Sequence, residues 1–244
     1  LEDREFTGKG VVNVPAIGSR VSRGFIFCVL VLPLLFFVGP ALAANNTTNI
    51  TTTADGAYGL LAESGGAWNN TASIVTQGDV AYGMWAISGS QIENSRRRSG
   101  IRWYMGSIAT YGLGSHGMAA DGGSQAWNSE AIHTFGPDAY GMLATGASQT
   151  WNEGVLGLSL SGLTIRRGSV VTEGTGSHGM VADGDGSIAW NAGNLSTYGI
   201  GADGMRAQNG GIVHNYAQQE TSVSIPFVGT FSVSLPVTGV IQTA

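Results

Sequence analysis

The stretch Thr134–Asn152, TFGPDAYGMLATGASQTWN, decides how the rest of the chain is read, because its parts recur elsewhere in the same order. Its centre, Ala139-Tyr140-Gly141-Met142, has five counterparts. They are Ala57-Tyr58-Gly59-Leu60, Ala81-Tyr82-Gly83-Met84, Ser115-His116-Gly117-Met118, Ser177-His178-Gly179-Met180 and Ala202-Asp203-Gly204-Met205. Counted between their glycines, the steps are 24, 34, 24, 38 and 25 residues. The short steps are one unit, and the two long ones are that unit plus an insertion. A fixed period in this range marks stacked repeats.

Two further markers accompany each centre. An Asn closes a polar strand at Trp68-Asn69, Glu93-Asn94, Trp127-Asn128, Trp151-Asn152, Trp190-Asn191 and His214-Asn215. A Thr-x-Gly follows an apolar position at Thr76-Gln77-Gly78, Thr110-Tyr111-Gly112, Thr134-Phe135-Gly136, Thr172-Glu173-Gly174 and Thr197-Tyr198-Gly199. Gly, Asn and Asp fill the intervening turns, where positive φ and Asx hydrogen bonding are needed. No window shows apolar residues at helical spacing. Three short strands per unit of roughly 24 residues predict an all-β fold, a right-handed parallel β-helix of about six to seven coils. Each coil of such a solenoid finds its backbone partners only in its neighbours.

Side-chain alternation assigns the faces. After each repeated Gly comes Met or Leu (Leu60, Met84, Met118, Met142, Met180, Met205), and two residues later always Ala (Ala62, Ala86, Ala120, Ala144, Ala182, Ala207). Between them lies a variable residue: Leu61, Trp85, Ala119, Leu143, Val181 or Arg206. Period-two geometry puts Met and Ala on one face, the interior, and the variable residue on the solvent side.

The N-terminal part is of another kind. Residues 1–19 carry no repeat and stay unassigned. Arg20 and Arg23, the apolar run Phe25–Val38 and then Ala41-Leu42-Ala43 read as a signal peptide over 20–43, cleaved before Ala44. That run is too short for a confident membrane span. The single cysteine, Cys28, lies inside it, so disulfides do not stabilise the mature chain. From Ala44 onward there are seven Arg, no Lys and thirteen Asp or Glu, a balance that argues against nucleic acid as a partner. Plentiful apolar residues and sparse charge argue against disorder.

Six of the seven arginines fall in the two long steps, whose insertions lie near 95–104 and 153–166. Both begin just after the Asn marker, so both should leave the coil at one corner and project from one side. Insertions on one face of a solenoid are often its binding face. Arg96, Arg97, Arg98, Arg102, Trp103, Arg166 and Arg167 are therefore the candidate ligand contacts, against the plainer reading of silent surface loops.

Other residues point to structure. The Trp column at 68, 127, 151 and 190 offers rings on which sugars stack, but stacking within the turn explains it as well. His116 and His178 occupy a position held elsewhere by Tyr, and His133 and His214 lack ligands at metal spacing. Asp183-Gly184-Asp185-Gly186 only faintly resembles a calcium loop, and no catalytic signature is present. No cofactor or metal is expected.

A signal peptide followed by Thr/Asn-rich coils carrying the phrase TxG, AYGM, GS and WN resembles the passenger domain of a bacterial autotransporter of the pertactin-like class, over residues 44–216. The resemblance implies a cysteine-poor β-helix carried across the outer membrane by a translocator β-barrel. It also implies display on the cell surface or release from it, with an adhesin-like or virulence role toward a host-surface protein or glycan. Residues 217–244 depart from the pattern: Ser222–Pro226 and Ser232–Pro236 predict two strands around Val228-Gly229-Thr230, a hairpin-like segment rather than a barrel of at least eight strands. Truncation, export by a separate partner, or decay of the gene would each account for that. An enzyme reading, a polysaccharide lyase or hydrolase on the same scaffold, needs grouped carboxylates, whereas Asp79, Asp121, Asp138, Asp183, Asp185 and Asp203 are expected mainly at turns. A non-binding structural stalk is the third reading.

Overall fold

The repeated Gly of each unit is required by how closely the coils approach. In the computed structural model, which describes residues 43–159, 162–225 and 229–243, a methyl group added at Gly117 would collide with the Ile132 side chain and the Gly141 carbonyl of the next coil. Gly59, Gly83, Gly141 and Gly179 are pinned in the same way, each between a core side chain and the backbone of the coil above. The following residue then continues the ladder: Met118 N–H donates to Gly141 O at 3.0 Å, and Met142 N–H to Gly179 O at 3.0 Å. The backbone polar groups of the strands are thus satisfied between coils, as burial demands.

The chain is a parallel β-helix, with no helix among the described residues. Three parallel sheets run along it. The first holds seven strands, from Ala44–Asn46 to Ile212–His214, and includes Gln91–Asn94, Gln125–Asn128 and Gln149–Asn152. The second also holds seven, from Ile50–Thr52 to Val240–Thr243, and the third holds six, from Leu60–Ala62 to Met205–Gln208. Register is strict, with Met118 level with Met84 and Met142, and Thr110 level with Thr76 and Thr134.

Between the sheets lies a narrow apolar column. Met84, Met118, Met142 and Met180 are fully buried beside Ala86, Ala120, Ala144 and Ala182. From the second sheet come Ile74, Ile108, Ile132, Val170 and Leu195. Each such large side chain contributes about 2 kcal/mol by leaving water. Met and Ala thus face inward, as their alternation predicts. The variable position is less open than its composition suggested. Ala119 and Val181 are buried, Leu61, Trp85 and Leu143 are half-buried and only Arg206 is exposed, and a column of Tyr58, Tyr82, His116, Tyr140 and His178 runs along the coils.

At the corner between the first and second sheets the interior is polar. Seven asparagines form a continuous amide ladder: Asn46, Asn70, Asn94, Asn128, Asn152, Asn191 and Asn215, joined by Nδ2–H to Oδ1 bonds of 2.8–3.0 Å. This corrects one column. The ladder takes Asn70, not Asn69, and so brings Trp68 level with Ile92 on the inner side, half-buried against the core. An amide at the corner bonds to both neighbours, so the doublet Asn69-Asn70 settles its register on the second residue.

Residues 1–42, which contain the expected extension, nearly all of the expected signal peptide, and Cys28, lie outside the described residues.

Candidate functional site

Among the described residues, every hairpin leaves the coil at the asparagine corner. Arg96–Ser99 pairs antiparallel with Arg102–Met105, Gly154–Ser159 with Gly162–Arg167, and Tyr216–Ile225 with Gly229–Thr238. Each hairpin leaves just after a ladder Asn and returns through a glycine, Gly106, Gly168 or Gly239, where a side chain would strike the ladder amides. The third hairpin comprises much of the stretch from 217 onward. After it, Val240–Thr243 rejoins the second sheet beside Asn194–Thr197, so this stretch closes a coil. The sequence held that signal, since Gly239-Val240-Ile241-Gln242-Thr243 matches Gly106-Ser107-Ile108-Ala109-Thr110 in its Gly, Ile and Thr.

Hairpins occur on alternate coils: plain corners at Asn70, Asn128 and Asn191 separate those at Asn94, Asn152 and Asn215. Two coil rises come to about 10 Å, the distance at which β-layers pack face to face. Strand Gly154–Ser159 of the second hairpin does lie against Tyr216–Ile225 of the third.

The seven candidate residues divide into two groups. Arg96 Nε–H donates to Glu130 Oε1 at 2.6 Å, and Arg166 donates to the same oxygen at 2.8 Å. Arg167 donates to the carbonyls of Thr238 at 2.6 Å and Ala192 at 3.2 Å, tying the second hairpin to the base of the third. These three brace the hairpins. Arg97, Arg98, Arg102 and Trp103 are exposed, and among the described residues no acidic side chain pairs with these three arginines. Arg96 and Arg98 flank the Trp103 ring, their guanidinium carbons 5.4 and 5.7 Å from its centroid. On the opposite face of this hairpin, Arg97, Ser99 and Tyr104 border a concavity of about 340 Å3 with Thr47. Guanidinium and hydroxyl donors set side by side suit an anionic group.

A second feature lies on the outer face of the first sheet. Trp127 and Trp151 stack at 5.0 Å with planes 6° apart, and Trp190 stacks on His214 at 4.1 Å. On its other side Trp127 is level with Glu93. There Gln91, Glu93, Trp127 and Glu153 border a concavity of about 320 Å3. Burial, reinforced by the neighbouring Glu93, pushes the Glu153 carboxyl up to about 7. The glutamates escape a motif search because each stands alone in sequence, but Glu153 follows the ladder Asn at a hairpin stem, which is a readable signal.

The remaining histidines and the Asp-Gly segment serve local structure. His116 Nδ1 accepts the Tyr140 N–H at 3.0 Å, and His178 Nδ1 accepts the Asp203 N–H at 2.8 Å. His133 pairs with Glu173 at 2.8 Å. Both oxygens of Asp183 accept amide donors, from Asn209 at 2.7 Å and Gln208 at 2.9 Å. Among the described residues no three potential metal ligands converge.

No family model, curated protein or solved structure matches this chain.

Proposed function

We propose that the chain is an exported, surface-displayed binding protein of the autotransporter-passenger type, with its contacts on the hairpins of the asparagine corner. The observation that carries this reading is the first hairpin, where Arg97, Arg98 and Arg102 stand exposed beside Trp103 in a chain of net charge −5. The three bracing arginines hold the hairpins to the coils and to one another, whereas the exposed ones make no ion pair among the described residues. Planar guanidiniums and an exposed indole are the side chains that dominate contact energies. The partner class is an anionic host-surface protein or glycan.

Expression of the full chain in a Gram-negative host tests both halves of the proposal. Export is supported by a surface or culture-fluid product whose N-terminus is Ala44, and contradicted by retention in the cytoplasm. Binding is supported if the exported product adheres to epithelial cells and heparin-coated surfaces, and if a variant with Arg97, Arg98 and Arg102 all changed to Ala loses that adhesion with an unchanged β-sheet spectrum. Adhesion equal in the triple variant removes the hairpin from the function.

A further inference from the structure

We infer that the concavity bordered by Gln91, Glu93, Trp127 and Glu153 is a subsite for a neutral hexose or amino-sugar unit of a polysaccharide, a site that goes beyond the arginine hairpin and differs from it in chemistry.

The argument begins with register. In the outward column of the first sheet, Trp127 stands between Trp151 and Glu93. One face of its ring is covered by Trp151 at 5.0 Å, nearly parallel. Glu93 holds the next rung on the other side, so that side of Trp127 meets a carboxylate and the concavity instead of another ring. The ring stack therefore ends at Trp127 on that side. A rung of this ladder is about 4.8 Å high, close to the separation at which a flat ring rests on an aromatic face. A pyranose suits such a face, with apolar C–H groups on its faces and hydroxyls around its edge to meet the polar rim.

The other walls complete the match. Glu93 and Glu153 supply acceptors that bind vicinal hydroxyls in pairs, and the Gln91 amide supplies both a donor and an acceptor. Gln91 already donates to Gln125 at 3.2 Å, which holds its amide at the edge of the site. The shared surface is one aromatic face with a polar rim, the general form of a small-ligand site. The same carboxyls reject acidic sugars, because a uronate would bring a like charge between them. Burial beside Glu93 holds Glu153 protonated up to about pH 7, so below that value it donates to a ring hydroxyl as well as accepting. That lowers the negative charge of the pocket and favours a neutral guest over a cation.

The test is calorimetric and NMR titration of the full chain with cellohexaose, mannohexaose and hexa-N-acetylchitohexaose, with hexagalacturonate and tetralysine as counter-probes. Binding of at least one neutral probe is expected, with the Trp127 indole signals perturbed. Trp127→Ala should weaken it at least about tenfold, and Trp127→Phe should restore most of it, which separates a lost platform from a misfolded coil. Trp190→Ala should leave it unchanged. Affinity should vary between pH 6 and 8 in the wild type and much less in Glu153→Gln. Failure of all three neutral probes overturns the inference, as does binding indifferent to Trp127 or tighter binding of hexagalacturonate or tetralysine. The triple arginine variant is titrated in parallel. Sugar binding that survives there while cell adhesion is lost shows two separate sites, and loss of the Trp127 site alone leaves the hairpin reading standing.

Discussion

Arg96 Nε lies 2.6 Å from Glu130 Oε1, joining the first hairpin to the corner of a coil that carries no hairpin. The second hairpin reaches the same oxygen from the other side through Arg166. Glu130 is therefore the brace between two insertions that are far apart in sequence, and its side chain is only 9% exposed. Replacing it with Gln leaves two guanidiniums without their counter-charge. Because both arginines are partly solvated, the expected loss is about 2 kcal/mol, below the range for fully buried pairs. Thermal melts should show this loss, the β-sheet spectrum should be unchanged, and limited proteolysis should cut first within 96–105 and 154–167. A variant as resistant as the wild type would remove Glu130 from this role.

The solenoid was legible in the sequence because the physical constraint repeats with the coil. Gly117 recurs as Gly83 and Gly141 since every coil makes the same close approach, and Met118 and Ala120 recur since the interior has the same width throughout. The corner was harder to read. Asn69 and Asn70 are equivalent to the eye, and only hydrogen bonding to Asn46 and Asn94 selects the second. The site was partly visible: the insertions declared the hairpins, but which arginines would be neutralised depended on Glu130 in the intervening coil. Of the concavity at Trp127 only the parts were legible, the Trp column and Glu153 at its hairpin stem, because Glu93, Trp127 and Glu153 come from three successive coils and meet only through register.

Val80 has a positive φ of 52°, in the left-handed region that a β-branched side chain disfavours. Gly56 and Gly114 hold the corresponding turn in the two neighbouring coils, with φ of 66° and 63°. The turn is kept because the Val80 N–H donates to Leu113 O at 2.8 Å. Since Val80 is 54% exposed, little burial is lost on its removal. Val80→Gly should stabilise the chain by about 1 kcal/mol, strain relief exceeding the added chain entropy of glycine. Denaturant unfolding gives the sign directly, and a lower midpoint for the variant would refute the strain argument.

Asn128 is fully buried at the middle of the ladder. It donates to Asn152 Oδ1 at 2.9 Å and to Glu130 O at 3.0 Å, and accepts from Asn94 at 2.9 Å. Asn128→Ala strands the amides on both sides and should cost about 3 kcal/mol or more. Asn128→Asp should cost more at neutral pH, because a buried carboxylate cannot donate to Asn152 Oδ1. Acidification protonates it and restores a donor, so the Asp variant should gain on the Ala variant as pH falls. Parallel unfolding curves at pH 4.5 and 7.5 decide this, and a constant gap between the two variants would rule it out.

His116 and Glu153 pull the pH dependence of stability in opposite directions. Burial lowers the His116 pKa from 6.5 to about 4, so the folded chain binds fewer protons than the unfolded chain between these values. Its contribution is complete above pH 6.5 and is lost as pH falls toward 4, on the order of 3 kcal/mol over the window. Glu153 is raised from 4.5 to about 7, so there the folded chain binds more protons. Its contribution is complete below pH 4.5 and is lost as pH rises toward 7. Between pH 4.5 and 6.5 the two slopes largely cancel, and this pair by itself leaves the wild type nearly flat. Single variants separate them. His116→Tyr, which installs the residue found at 82 and 140, should become less stable as pH rises across this range, because only the Glu153 slope remains. Glu153→Gln should become more stable over the same range, because only the His116 slope remains. Urea unfolding at pH 4.5, 5.5 and 6.5 measures both, and parallel profiles for the two variants would show that neither group titrates as its surroundings dictate.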